Sequence, residues 1–337
     1  MKMRTHRTII SALLFSVAMV AVTGCSKLDD GSGNDDTDNN DSNYNVVVPT
    51  GAINGLFSVD ASRKVWFSKG NLQYKALTNT WRFAGNQWDY VGGDNFGTVY
   101  GSSNHLVSST YDGWIDLFGW GTSGWKGGVL CCEPYSTSNE DYYYWCGGSF
   151  DNNLTGRYAK ADWGVYNPIS NGGNQAGLWR TLTIAEWRYI FESRNTSSGI
   201  LYAMSRVNGV NGVILLPDNW NPSTYLLNNA NQRARFASNT IDEASWNTIL
   251  EPAGAVFLPA AGHRTGTEVV GFYGTQPQTS GYYWSSSYTM YNDPSDDTDA
   301  AHISIVQLDY LDYQSIIGWT DSNRSGGLSV RLVSDCQ

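Results

Sequence analysis

The chain is short of charge. Only 15% of its 337 residues are Asp, Glu, Lys or Arg, against about 25% in ordinary soluble domains. It has four histidines and five cysteines, none paired at metal-ligand spacing, which argues against a zinc site. No Gly-x-Ser-x-Gly elbow and no phosphate-binding loop occurs, so two common catalytic frameworks are missing. No period of roughly 20 to 50 residues recurs, which excludes a solenoid. No apolar run reaches the roughly 20 residues that span a bilayer. The net charge is −10, and −13 without Lys2, Arg4 and Arg7. That sign argues against nucleic acid and anionic lipid surfaces as partners.

What is present begins at the N-terminus. Lys2, Arg4 and Arg7 precede a short apolar stretch, Ile9 to Val22, that ends at Thr23-Gly24-Cys25. A basic start, a short apolar run and small residues before the cut form a secretory signal. A cysteine directly after the small residue resembles the lipobox of bacterial lipoproteins. The resemblance implies that residues 1–24 are removed and that Cys25 is lipidated and anchors the chain in a bilayer. Residues 25–45 are rich in Asp, Asn, Ser and Gly and have almost nothing to bury, so they read as a disordered tether. Their Asp/Asn pattern lacks the ordered ligand positions of a calcium loop. Acidic residues just after the lipidated position resemble a loose export signal to the outer face of the outer membrane. The expected location is therefore an outer-membrane lipoprotein at the cell surface.

The remaining 46–337 is long enough for one large core. Fourteen Trp and 21 Tyr, with abundant Asn, Ser and Gly, are the palette of binding surfaces. Most of the tryptophans are expected in the core. Four cysteines besides Cys25 allow three pairings in an exported protein. A bond between adjacent Cys131 and Cys132 would be strained, so Cys146 with one of them is favoured.

Local pattern predicts mostly strands. They are Leu56 to Val59, Lys64 to Ser68, Asn71 to Tyr74, Thr80 to Ala84, Ala255 to Pro259, Tyr282 to Ser286, Ala301 to Leu308 and Leu328 to Val333. Gly92 to Ser109 and the cysteine-bearing Gly127 to Ala161 read as loops. Thr183-Ile184-Ala185-Glu186 fits a capping box, with Ile184, Trp187, Ile190 and Phe191 on one helical face. Thr240 to Glu243 opens a second helix by the same logic, with Trp246, Ile249 and Leu250 inward. A hairpin is expected from Leu201 to Leu216, but two Asn-Gly pairs, Asn208-Gly209 and Asn211-Gly212, leave its register open.

Four segments in order carry a resemblance. Gly177 to Trp187 looks like a W-R-L-P-T-x-x-E-W motif, Val256 to Arg264 like L-P-A-A-G-x-R, Gly281 to Ser287 like G-x-Y-W-S-S-S, and Ser329 to Val333 like S-V-R-L-V. Together, over residues 164–333, they resemble the Fibrobacter succinogenes major paralogous domain, of the formylglycine-generating-enzyme/sulfatase-modifying-factor superfamily. The resemblance implies an α+β, C-type-lectin-like fold with irregular, loop-rich antiparallel sheets and two short helices. The motifs also make sense as structure. Pro259 ends a strand, Gly262 allows a turn, Trp284 anchors the core and Ser285 to Ser287 satisfy backbone groups. Arg331 is expected to pair with a carboxylate.

The superfamily's oxidases use two copper-binding cysteines in the C-terminal part of the domain. Here only Cys336 lies there and no thiol lies between Trp284 and Arg331, so that chemistry lacks its carrier. No cofactor, metal site or catalytic residue is assigned, and the expected protein is not an enzyme. His105, His263 and His302 are widely spaced. Asp112 with Asp116, or Asp309 with Asp312, are the carboxylate pairs a divergent hydrolase would use. Folds of this type commonly bind ligands near the C-terminal end, here Tyr288 to Asn323. Tyr288, Tyr291, His302, Tyr310, Asp312, Tyr313 and Trp319 offer rings that stack on sugars and groups that bond hydroxyls. The Glu-Pro-Asn or Gln-Pro-Asp signature of calcium-dependent lectins is absent. The expectation is a lipid-anchored protein binding a glycan or protein ligand there. The alternatives are a structural envelope or fimbrial accessory, a divergent hydrolase, and a hypervariable adhesin diversified by a retroelement, whose palette Tyr310 to Ile317 suits.

Overall fold

The computed structural model describes residues 47–90, 102–103, 107–126, 133–136, 153–270, 279–289, 299–308 and 314–336. Residues Val48–Gln337 form one compact unit. The architecture is mixed α+β, with mostly antiparallel sheets and a few short helices.

The chain enters through strands β1 (Ala52–Ser58), β2 (Lys64–Ser68), β3 (Leu72–Lys75) and β4 (Thr80–Phe83), followed by the two-residue β5 (Ser102–Ser103). The last of these falls inside the stretch expected as loop. A helical turn, α1 (Trp163–Tyr166), precedes β6 (Arg180–Thr181) and helix α2 (Ile184–Arg188). Then come β7 (Tyr202–Val207), β8 (Val210–Leu215), β9 (Thr240–Ile241), helix α3 (Glu243–Ser245) and β10 (Val256–Pro259). The chain ends with β11 (His263–Thr265), β12 (Glu268–Val270), β13 (Ser280–Trp284), β14 (Asp299–Leu308), β15 (Gln314–Asn323) and β16 (Leu332–Asp335). Helix α1 is an addition to the two helices expected.

The sheets run β1-β2-β16-β6, β10-β8-β7-β9, β11-β12-β5, β13-β14-β15 and β3-β4. Every pair is antiparallel except β7 with β9. Sheet β10-β8-β7-β9 is covered on both faces. Met204, Val213, Leu215, Val256 and Leu258 join one buried cluster with Phe67, Trp187 and Ile303. Ala203, Ile214, Leu216 and Phe257 join another with Trp220, Trp246 and Leu250. Burial on both sides is why β8 and β10 read as unbroken apolar runs. A third cluster gathers Trp81, Trp120, Trp163, Trp179 and Trp284. Most of the described tryptophans are thus core, as expected.

The hairpin resolves its register at the first Asn-Gly. Val207 faces Val210, and Asn208 and Gly209 have φ of 45° and 81°, the positive pair that a type I′ turn requires. Asn211-Gly212 lies inside β8. At α2 both halves of the capping box form: Thr183 accepts from the Glu186 amide, and Glu186 accepts from the Thr183 amide. All four residues of its predicted apolar face are buried. At α3 the cap is Asp242, not Thr240, which lies in β9. The carboxylate accepts from the Ser245 amide at 2.6 Å. Trp246 and Leu250 point inward as expected, but Ile249 is exposed, because the helix turns π-helical over Trp246–Leu250 and shifts the face.

The motif residues act as bolts. Gly281 bridges Gly262, and a Cβ on it would lie 2.8 Å from the Ala260 Cα. The Trp284 indole donates to the Phe118 carbonyl at 2.6 Å. Ser285 donates to the Ala301 carbonyl, and Ser287 accepts from the Ile184 amide at the start of α2. Arg264, fully buried, donates to the Leu117 and Gly266 carbonyls.

Arg331 corrects the expectation of a carboxylate partner. It is fully buried and donates to the Gln87 side-chain oxygen at 2.8 Å, with longer contacts to Asn71 and Phe257. Gln87 in turn donates to Glu251 at 3.0 Å, so an amide relays the charge to a carboxylate one residue removed. Burial brings the Arg331 pKa down to about 10. Cys336, outside the expected disulfide set, is disulfide-bonded.

Candidate functional site

The C-terminal sheet β13-β14-β15 carries the expected binding stretch. β14 and β15 pair over their full lengths, with Ile303 opposite Trp319 and His302 opposite Thr320. Successive side chains on a strand point to opposite faces. One face therefore carries Ala301, Ile303, Ile305, Ile317, Trp319 and Asp321. The other carries His302, Ser304, Thr320 and Ser322. His302 and Trp319 stand on opposite sides of the sheet and do not contribute to one site.

His302 is a core residue. It is 1% exposed and sits edge-on to Tyr282 and Trp284, with centroids 5.6 and 5.8 Å away. Neither ring nitrogen has a hydrogen-bond partner of normal geometry. Burial without a counter-charge holds its pKa down to about 4, so the imidazole is neutral at neutral pH. On this side a cleft of about 450 Å³ is lined by His263, Thr265, Tyr282, Ser322 and Asn323, among others. His263 stands edge-on to Tyr282 at 5.2 Å, and burial lowers its pKa.

The opposite face flanks a second cleft, of about 510 Å³. Helix α2 forms one wall with Thr183, Ile184, Ala185 and Arg188. The chain continues as a π-helix, Tyr189–Ser193, and Tyr189 and Ser193 extend the wall. Ser287, Thr289 and Asn153 close the other side. Each of these three is positioned by its own bond. Ser287 accepts the Ile184 amide, Thr289 donates to Asp321 at 3.0 Å, and Asn153 accepts the Tyr288 amide at 3.1 Å. Trp319 stands beside this wall. Its indole donates to Glu192 at 2.8 Å, and its ring meets Phe191 at 5.8 Å. Both Tyr288 and Trp319 are half-buried, each with surface left to meet a ligand.

The wall is rigid because α2 is tied down at its base. Glu186 is buried and takes two bonds from Arg180, at 2.8 and 2.9 Å. Arg63 approaches it at 3.2 Å. Arg180 also grips Asp335 on β16. Burial works against the Arg180 charge, but the bonds to Asp335 and Glu186 outweigh it and raise its pKa.

Of the residues expected in the site, Trp319 stands beside this cleft, Tyr288 reaches it through its backbone amide with its ring packed against the Trp284 cluster, and His302 lies on the other face of the sheet. Tyr291, Tyr310, Asp312 and Tyr313 lie outside the described residues, as do Cys25, Cys131, Cys132 and Cys146. Asp112 is exposed and paired with Lys75, whereas Asp116 is buried. Neither lines a cleft described here. The residues that the sequence reading missed are Thr183, Arg188, Tyr189, Ser193 and Asn153. Arg188 directly follows Glu186 and Trp187, but nothing local shows that its side of α2 meets Ser287 and Thr289. Among the described residues no group of three or more His, Cys, Asp and Glu is placed to hold a metal ion. No described helix is long and apolar enough to cross a membrane. Comparison with family models, with curated proteins and with solved structures returns no match for this chain.

Proposed function

We propose that the chain is a lipid-anchored, surface-facing envelope protein. It binds a glycan, without catalysis, in the cleft between α2 and the Ser287–Thr289 segment. The observation that carries this reading is the lining. Hydroxyls and an amide are held on tied-down elements, with the Tyr189 ring in the lining and Trp319 beside the π-helical wall. Sugars present that pattern in reverse, with hydroxyls around an apolar ring face that stacks on aromatic side chains. The lining supports binding over hydrolysis, because its one ionisable acid–base candidate besides Tyr189 is a guanidinium, which stays protonated. It also supports binding over a subunit-mating role. Among the described residues the exposed large apolar side chains are Val47, Leu77, Tyr166, Leu226 and Ile249, single positions from separate segments of the chain rather than one contiguous run.

A C-type-lectin-like fold is consistent with the antiparallel sheets, the short helices and the structural work of the four motifs. The anchor rests on the leader and Cys25.

The test displays the full chain on cells and measures fluorescent glycan capture, with Trp319→Ala, Tyr189→Ala and Cys25→Ala for comparison. The expected result is capture by the parent, loss of about tenfold in each aromatic variant with the chain still cell-bound, and release of the chain with Cys25→Ala. Glycan capture indifferent to both aromatic changes would move the site elsewhere. Cell retention of Cys25→Ala would remove the anchor.

A further inference from the structure

Arg188 sits in the cleft wall without a partner. Its Nε is buried and unbonded, and among the described residues the guanidinium makes no hydrogen bond, ion pair or ring contact. Every other described arginine that is at least half-buried has a bond. Arg82 donates to Gln73, Arg180 to Glu186, Arg194 to Asp218 and Arg206 to Asn211. The buried Arg264, Arg324 and Arg331 donate to carbonyls and amides. A guanidinium offers five donors in a planar fork, so leaving it empty in a partly desolvated wall costs stability.

The natural counter-ion is diverted. Glu192 lies four residues after Arg188, the spacing at which opposite charges pair on an α-helix. The helix becomes π-helical at Tyr189, with the Arg194 amide reaching back to the Tyr189 carbonyl. The wider turn takes Glu192 away, and the Trp319 indole holds its carboxylate at 2.8 Å. π-Helical turns inside α-helices are often found at functional sites. Here the turn leaves one cation facing a neutral cleft in a chain of net charge −10.

We infer that the ligand of this cleft is an acidic glycan, with a sugar carboxylate seated on the Arg188 guanidinium. The inference rests on the glycan reading above and adds the charge of the ligand. Arg188 would meet the carboxylate through two parallel N–H···O bonds. Thr183, Ser193, Ser287 and Asn153 offer partners to the neighbouring hydroxyls. An acidic peptide is the less favoured occupant. Besides Ile184, Ala185 and the flat Tyr189 ring the lining is polar, whereas peptide grooves ordinarily supply pockets for alternate side chains.

The test uses the full chain and paired oligosaccharides, one containing uronic acid and the other its carboxyl-reduced, neutral counterpart. Affinities are compared for the parent, Arg188→Gln and Arg188→Lys, with thermal melting to check the fold. The expected result is a preference of about tenfold for the acidic form. Arg188→Gln abolishes the preference and Arg188→Lys keeps part of it, since an ammonium supplies charge without the fork. Equal affinity for both forms, unchanged in Arg188→Gln, overturns the acidic ligand and leaves the glycan reading intact. Binding of neither form overturns both. Binding of an acidic peptide instead, lost in Arg188→Gln, keeps the anion and overturns the sugar.

Discussion

At the scale of single residues, two buried groups give the protein opposing responses to acid. The His302 pKa is held down to about 4 by burial, and that of Asp162 is pushed up to about 6 by burial, against hydrogen bonds from the Thr181 and Gly164 amides. Between about pH 6.5 and 4 the unfolded chain protonates His302 and the folded chain does not, so this group's stability is lost as pH falls through that range. For Asp162 the folded chain holds the proton from about pH 6 downward and the unfolded chain only below about 4. Its contribution therefore rises as pH falls. Each is worth about 3 kcal/mol, and they oppose over one window. His302→Phe removes the first alone. The expected outcome is that, as pH falls from 6 to 4, the urea midpoint of the parent drops relative to that of the variant. Parallel profiles in parent and variant would show that His302 titrates normally. The sequence shows His302 as a polar residue in a binding stretch. Its burial is decided by Tyr282 and Trp284, brought over it by the pairing of β13 with β14.

At the scale of elements, local chemistry and the fold agree where short-range bonds decide. The Asn208-Gly209 turn needs positive φ at both positions, which Gly adopts freely and other L-residues adopt at a cost of about 1 kcal/mol or more. Gly209→Ala is expected to lower stability by about that amount in a denaturant titration, although a Cβ there meets no atom within 4 Å. An unchanged midpoint would mean the hairpin turns elsewhere. The capping box at α2 was legible for the same reason, since Thr183 and Glu186 are three residues apart and complete each other. The cap of α3 was not. Thr240 and Asp242 both suit a cap, and the choice falls to Asp242 because Thr240 is drawn into β9 beside β7, a parallel contact with no local signal. The π-helical turns at Tyr189 and Trp246 are equally silent in the sequence, yet the first determines where Glu192 goes and leaves Arg188 open.

At the scale of the whole molecule, the last strand holds the first ones. β16 lies between β2 and β6, Leu332 and Val333 are fully buried, and Asp335 grips Arg180 beneath the cleft. A chain ending at Arg331 loses an interior strand, that ion pair and the Cys336 disulfide together. It is expected to lose cooperative unfolding by calorimetry, and a sharp transition in that variant would show that β16 is dispensable. Among the features the structure tests, those legible in the sequence by itself were ones written within a few residues: strand alternation, the capping box, the hairpin turn and the large aromatic core. Each depends on bonds and periodicities between near neighbours. The tertiary structure alone decided that Arg331 is served by Gln87, that His302 and Trp319 face opposite ways, and that Arg188 meets Ser287 and Thr289 across a cleft. Those outcomes depend on which distant segments pack together, and packing is a sum over the whole chain rather than a property of any one stretch of it.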